Sequence, residues 1–304
     1  MTNCVCYVVD DNYLFPTLVS AIQAKEHVDA CDVDVRIFCI SNNPKYSSKF
    51  SAVASTYDVH LTVVPTKVIE NMHPMFGRLF LHRMLSESYE RVIYIDGDTQ
   101  IKGSIMPLID VTIVSGNFLA VRDPDVLFAS RSKKGIARMH AFREKIGIKN
   151  HNNYFNSGVL AFNARDWAEI SKLALATVEK SSLKLEFPDQ DALNISVGDR
   201  CTYIPNRWNF PGFFIGSEME TRVKPVIYHF MSNPRPWTHN VPPWGASWQA
   251  PYRKLLVLHP ELNEYKLHAT KSARLRYWLQ QHLKMFSEYG PVGRTREAEA
   301  DLII

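Results

Sequence analysis

Neither a Gly-x-Gly-x-x-Gly fingerprint nor a Walker-type loop occurs in the 304 residues, which excludes the two common glycine-rich ways of cradling a nucleotide phosphate. No run approaches the ~18 apolar residues of a membrane-spanning helix. The first thirteen residues are apolar but lack a basic leader and soon meet Asp10 and Asp11. They do not read as a signal peptide, and a cytoplasmic protein is expected. There is no internal repeat, no low-complexity segment, and no Gly/Ser or Pro linker before about residue 260. Charge is nearly even in sign: a formal net charge of +4 is too mild for a nucleic-acid binder, and none is expected. Cysteine is sparse and odd in number, with five. Cys4 and Cys6 lie two apart in an apolar run and face the same way. A metal pair is conceivable there, but no second Cys pair or His cluster completes a zinc site, so buried free thiols are expected. The hydrophobic share of 46% against 22% charged argues for a folded chain, long enough for one large α/β domain or two small ones.

What is present centres on 91–98, Arg-Val-Ile-Tyr-Ile-Asp-Gly-Asp. Four consecutive apolar residues read as a buried strand running into a turn. At its end Asp96 and Asp98 are separated by one glycine. Like charges this close need a counter-charge, and a divalent cation with oxygen ligands is the usual one. The carboxyl end of a strand is also where open α/β sheets bind ligands. The plain alternative is a solvated Asp-Gly-Asp turn.

Along the chain, strands are expected at 4–10, 33–40, 59–64, 91–95, 117–123 and 225–230. Helical patterns fall at 16–30, from 45 to about 57, at 75–89 and at 166–180. The segment 154–163 is apolar around Asn156-Ser157-Gly158, and 187–191 reads as a loop opening a short helix. The basic stretch 130–148 (Arg131, Lys133, Lys134, Arg138, Arg143, Lys145) is either a solvated helix or an acceptor-facing lid. Strand–helix alternation from the first residues implies a parallel sheet in a doubly wound, nucleotide-binding arrangement. Without a glycine-rich loop, any diphosphate would rest on a metal and basic side chains.

His229 ends an apolar strand and is either structural or a third ligand beside the two carboxylates. Asp/Asp/His with open positions suits Mn²⁺ or Mg²⁺. Arg235, in Arg-Pro-Trp, offers a fixed cation for a departing diphosphate. Asp189 either caps the following helix or, with Gln190, faces a sugar; Asn156 is a turn residue or a ligand-binding amide.

In this order the segments resemble glycosyltransferase family 8, which includes glycogenin and bacterial lipooligosaccharide and lipopolysaccharide galactosyl- and glucosyltransferases. The segments are Asp10-Asp11-Asn12-Tyr13, Arg78-Leu79, Tyr94-Ile95-Asp96-Gly97-Asp98, Tyr154-Phe155-Asn156-Ser157-Gly158-Val159-Leu160, Asp189-Gln190-Asp191 with Asn194, Arg207-Trp208-Asn209-Phe210, and His229 through Trp237. The match covers nearly the whole chain. It implies a retaining transferase of the GT-A fold: one α/β nucleotide-binding domain with a central, mostly parallel sheet over residues 1–260, and a small helical tail over 261–304. It also implies Mn²⁺ (Mg²⁺ as the alternative), a UDP-hexose donor and a saccharide acceptor. By position, Asp10, Asn12 and Tyr13 would hold uridine, with Tyr13 stacking on the base. Asp96, Asp98 and His229 would ligate the metal. Arg78, Asn156, Ser157, Asp189 and Gln190 would surround the sugar, with Asp189, Gln190 and Arg78 as the catalytic set and Asp123 nearby. Ser232 and Arg235 would face the diphosphate; the family has glycine and lysine there. Same-face attack is favoured over a covalent intermediate, because Gln190 is a poor nucleophile. A self-glucosylating protein like glycogenin and a turnover-silent nucleotide-sugar-binding protein are the alternatives.

In the tail, Lys266, Lys271, Arg274, Arg276 and Lys284 occur without an acidic residue between 266 and 286. Leu275, Trp278, Leu279, Leu283 and Phe286 share one helical face. Such a helix either packs on the main domain or lies on an anionic membrane surface, making the protein peripheral on the inner face.

Overall fold

The computed structural model describes residues 2–28, 32–124, 133–148, 150, 153–180, 185–239, 244–265 and 270–292. Cys31, Arg131 and Lys266, and the side chains of Lys133, Lys134, Lys284 and Phe286, lie outside the described residues.

The described strands are β1 (Thr2–Asp10), β2 (Val33–Ile40), β3 (His60–Val64), β4 (Tyr89–Ile95), β5 (Thr99–Ile101), β6 (Phe118–Arg122), β7 (Phe155–Asn163), β8 (Cys201–Tyr203), β9 (Phe210–Pro211) and β10 (Ile227–His229). The described helices are α1 (Leu14–Glu26), α2 (Pro44–Ser55), α3 (Met106–Asp110), α4 (Lys133–Lys145), α5 (Trp167–Lys180), α6 (Pro188–Val197), α7 (Glu218–Val223), α8 (Gly245–Leu258) and α9 (Lys271–Val292). Seven strands form one sheet in the order β3-β2-β1-β4-β7-β6-β8, and β5-β10-β9 form a second, small sheet. The large sheet is mostly parallel, as expected, but β7 runs antiparallel to both β4 and β6.

The alternation of β1 sends its side chains to two cores. Val5, Tyr7 and Val9 pack with Leu14 and Leu18 of α1. Cys4, Cys6 and Val8 face the other way, toward Leu79, Phe80 and Trp167. Cys4, Cys6 and Cys39 are buried free thiols and Cys201 is partly buried and free, in line with their apolar setting. Beyond α8, a 3₁₀ segment Pro260–Tyr265 still belongs to the packed body: Leu262 is buried and the Tyr265 ring lies 4.9 Å from that of Phe50.

Two local expectations are corrected. The stretch 75–89 is not one helix. It is a 3₁₀ helix, Pro74–Arg83, followed by a turn into β4, which already includes Tyr89. The carbonyls of Arg78 and Leu79 accept from Trp167 Nε1 and Ser171 Oγ of α5, so this segment is tied sideways to its neighbour as well as along its own axis. Asp189 lies within the first turn of α6 rather than in a loop before it, and it does not cap the helix. The cap position is Phe187, with no side-chain cap bond. Asp191 instead accepts from the amides of Glu186 and Phe187, both at 2.9 Å, from inside the helix.

Candidate active site

The topology gathers distant residues at one edge of the large sheet. β1 and β4 are parallel, so their carboxyl ends deliver Asp10 and Asp96 side by side. Because β7 is antiparallel to β4, its amino end arrives at the same edge, and the Asp96 amide donates to Gly158 O at 2.8 Å. The second sheet closes the site. β10 pairs with β5 so that His229 stands opposite Thr99, and the Phe230 amide donates to Asp98 O at 2.8 Å. This pairing brings His229 back onto the carboxylate turn. Two glycines make the approach feasible. A Cβ on Gly97 would lie 2.1 Å from Thr17 Oγ1, and one on Gly158 would lie 2.3 Å from His229 Cε1.

A cleft of about 420 Å³ opens on this edge. His229 Nε2 lies 3.1 Å from Asp98 Oδ1 and 3.7 Å from Asp96 Oδ2. One donor atom from each of the three side chains falls within 4.8 Å of the others, close enough for all three to reach one ion. His229 Nδ1 lies 2.9 Å from Asn209 Oδ1, which leaves Nε2 directed at the carboxylates. Two oxygens and one imidazole nitrogen form a donor set that fits Mn²⁺ or Mg²⁺ with positions left open.

Two arginines offset part of the carboxylate charge. Arg235 Nη1 reaches Asp98 Oδ2 at 2.6 Å. Burial alone would raise the Asp98 pKa, but His229 and Arg235 overcome it and hold the carboxyl below its ordinary range. Arg78 Nη2 pairs with Asp96 Oδ1 at 2.9 Å, and its Nε lies 2.9 Å from Asp189 Oδ2, off the hydrogen-bond axis. Arg78 also donates to Ser157 O and Oγ at 2.7 and 2.8 Å. Burial pushes the Asp189 carboxyl up despite Arg78.

Deeper in the cleft, Gln190 Oε1 accepts from the Ser157 amide at 3.0 Å, while its Nε2 donates to Asp123 Oδ2 at 3.0 Å. Asn156 donates to the same Asp123 oxygen at 3.1 Å. At the opposite end, Asp10 caps the turn Asp11–Tyr13 by accepting from the amides of Asn12 and Tyr13, which turns the Tyr13 ring into the cleft. Burial raises the Tyr13 phenol pKa against the pull of Arg235.

The cleft lining therefore includes Asp10, Tyr13, Arg78, Asp96, Asp98, Asn156, Ser157, Asp189, Gln190, His229 and Arg235 from the sequence reading. Asp123 lies just behind it. Asn12 and Ser232 are exposed and outside the lining. Sequence reasoning gave no role to Tyr154, whose hydroxyl donates to Asp191 Oδ1 at 2.5 Å, or to Asn209. The only available signal for both was their place inside segments already singled out.

The model of glycosyl transferase family 8 matches residues 4–241. The chain belongs to that family. A lipopolysaccharide 1,2-glucosyltransferase of Escherichia coli (strain K12) is 23% identical over 254 residues, which span 77% of this chain and 72% of the relative. A lipopolysaccharide 1,3-galactosyltransferase of Salmonella typhimurium is 22% identical over 262 residues, 80% of this chain and 74% of the relative. Among solved structures, galactosyltransferase LgtC in complex with donor and acceptor sugar analogues superposes with a TM-score of 0.67 at 21% identity, over 86% of this chain and 99% of LgtC. The fold of this family 8 chain is thus the GT-A fold expected from the resemblance.

Proposed function

We propose that this family 8 chain is a metal-dependent, retaining hexosyltransferase that moves glucose or galactose from a UDP-sugar to a saccharide acceptor of the lipopolysaccharide or lipid-linked class. The observation that carries this reading is the convergence of Asp96, Asp98 and His229 in a cleft also lined by Arg78, Asn156, Ser157, Asp189 and Gln190. The named relatives supply the acceptor class.

Asp96, Asp98 and His229 would hold Mn²⁺ or Mg²⁺, which when bound offsets the negative charge of the diphosphate as UDP departs. Tyr13 faces the uracil end of the cleft, in a turn fixed by Asp10, with Asn12 beside it. Arg235 places a guanidinium where the diphosphate must lie, and Ser232 sits in the same segment. Arg78 pairs with both Asp96 and Asp189, so the sugar meets carboxylates whose charge is partly offset rather than bare.

The hydrogen bonding favours same-face attack. Both ends of the Gln190 amide are occupied, its Nε2 by Asp123 and Tyr154. The Asp189 carboxylate is buried and paired with Arg78, which blunts it as a nucleophile. With no unengaged carboxylate in the cleft among the described residues, the departing diphosphate oxygen is the base of choice for the acceptor proton.

In this reading residues 1–260 are the catalytic domain, with the packed segment Pro260–Tyr265 at its end. The remainder is a surface-binding tail. On α9, Leu275, Trp278, Leu279 and Leu283 are 61, 48, 50 and 69% exposed. Lys271, Arg274 and Arg276 lie on the same helix. Among the described residues no helix is long and apolar enough to cross a membrane. An exposed apolar stripe beside basic residues suits the plane of an anionic bilayer, and a peripheral position on the cytoplasmic face would bring the cleft to a lipid-linked acceptor.

A donor screen tests the enzymatic reading. Purified protein is given each UDP-hexose with Mn²⁺ and a lipopolysaccharide core acceptor, and free UDP is measured. Release with UDP-glucose or UDP-galactose that stops in EDTA is expected. No UDP release from any donor, or undiminished release in EDTA, would overturn it.

A further inference from the structure

We infer that Asn209 is the positioning residue that fixes His229 in its metal-binding tautomer. The inference rests on the metal reading above, but its evidence is a chain of hydrogen bonds whose directions are forced from both ends.

At one end is a donor that cannot be reversed. The backbone amide of Gly158 donates to the Asn156 side chain at 3.0 Å, so the atom it meets must be Oδ1. The other atom of the same amide faces Asp123 Oδ2 at 3.1 Å. That carboxylate oxygen also receives Gln190 Nε2, and Gln190 is oriented in turn by the backbone amide of Ser157 on its Oε1. Asn156 is thus pinned twice, by a fixed donor and by a fixed acceptor.

Asn209 meets Asn156 Oδ1 at 2.8 Å and must present its Nδ2 there. Its Oδ1 is then the atom 2.9 Å from His229 Nδ1. A carbonyl oxygen only accepts, so Nδ1 must carry the proton. The Nε2 lone pair would thereby be left for a cation held with Asp96 and Asp98. Were Asn209 reversed, two donors would face each other at His229 and two acceptors at Asn156.

All members are buried: Asn209 is 1% exposed, His229 4%, Gln190 6%, Asp123 7% and Asn156 9%. Burial limits competition from water for these bonds, and a reversed amide there would be costly. Ligating histidines generally need such a partner on the second ring nitrogen, and removing it weakens metal binding by about 10–100-fold. Asn209 stands between the turn Asn206–Trp208 and β9, so it ties the second sheet to β7 of the large one. The same chain joins the metal ligand to Gln190 in the sugar wall.

Two measurements test this. The first is the ¹⁵N shift of His229 Nδ1 in the wild-type, metal-free protein, assigned by comparison with His229→Gln. Nδ1 should stay of the protonated, pyrrole type from neutral to alkaline pH, whether or not Nε2 carries a proton. A pyridine-type Nδ1 overturns the inference. The second is Mn²⁺ titration calorimetry on folded variants. Asn209→Leu should weaken Mn²⁺ binding by about 10–100-fold, while Asn209→Asp, which keeps an acceptor for Nδ1 but sets a second acceptor against Asn156 Oδ1, should restore part of the loss. Wild-type affinity in Asn209→Leu, or an equal loss in both variants, overturns it. If the wild type itself binds no Mn²⁺, the metal reading fails, and the nitrogen shift still decides the tautomer.

Discussion

Replacing Gly158 by alanine probes the site without substituting any proposed metal ligand. The new methyl would stand 2.3 Å from Cε1 and 2.7 Å from Nδ1 of His229, and 2.9 Å from Asn156 Oδ1. Ordinary contact begins near 3.4 Å, so the imidazole must retreat by about an ångström. It cannot do so freely, because Nδ1 is tied to Asn209 and the ring is 4% exposed. Overpacking of this kind costs about 1–3 kcal/mol. The entropic gain of glycine to alanine at a compatible backbone, about 0.4–1 kcal/mol, is smaller, so net destabilisation wins. The displaced ring also leaves the 4.8 Å cluster with Asp96 and Asp98. Gly158→Ala should therefore lower the urea midpoint and weaken Mn²⁺ binding together. Chemical denaturation followed by circular dichroism reads the first, and calorimetry the second. A variant with the wild-type midpoint and wild-type Mn²⁺ affinity would refute the packing argument.

Asp98→Asn should keep the fold and reduce transfer by orders of magnitude, because the diphosphate charge loses part of its counterweight; full activity in a UDP-release assay contradicts the metal assignment. Tyr13→Ala should weaken UDP binding by about 1–3 kcal/mol, and unchanged affinity by calorimetry would return Tyr13 to a packing role. Asp98 also sets a pH dependence. Its folded pKa is depressed below the unfolded value of 3.8, so its stabilising contribution is full above that pH and is lost as pH falls below it. In metal-free protein the urea midpoint should fall more steeply below about pH 4 in the wild type than in Asp98→Asn; parallel curves would refute this. Truncation after residue 265 should abolish co-flotation with anionic liposomes at low salt while leaving transfer to a short soluble acceptor intact. Full-length protein that ignores such liposomes, or a truncated protein that unfolds, would make α9 structural.

Much of this site was legible because its strands are long apolar runs that end in polar residues. β1 ends at Asp10 and β4 at Ile95, just before Asp96, and the residues at such an end are the ones a sheet edge exposes. His229 could be read as a third ligand only as an option, since its meeting with Asp98 depends on β5 and β10, three residues each. Strands that short carry little periodicity. The 3₁₀ winding of Pro74–Arg83 was hidden for another reason. Its apolar spacing suits a helix of either kind, and its sideways ties come from Trp167 and Ser171, far along the chain. Asp189 was misplaced by one turn because Pro188 is compatible both with a loop and with the first helical position. The hydrogen bonds of Asn209 and Tyr154 were illegible, because their partners come from other elements and no local pattern marks them.

The most direct test of the proposed function is a crystal structure of the protein with Mn²⁺ and UDP, located by anomalous scattering from manganese. We predict a single strong peak among the carboxylate oxygens of Asp96 and Asp98 and Nε2 of His229, with the diphosphate between that ion and Arg235 and the uracil against Tyr13. A manganese peak elsewhere would contradict this reading, as would UDP lodged in the separate 470 Å³ cavity lined by Ile22, Tyr57 and Leu255.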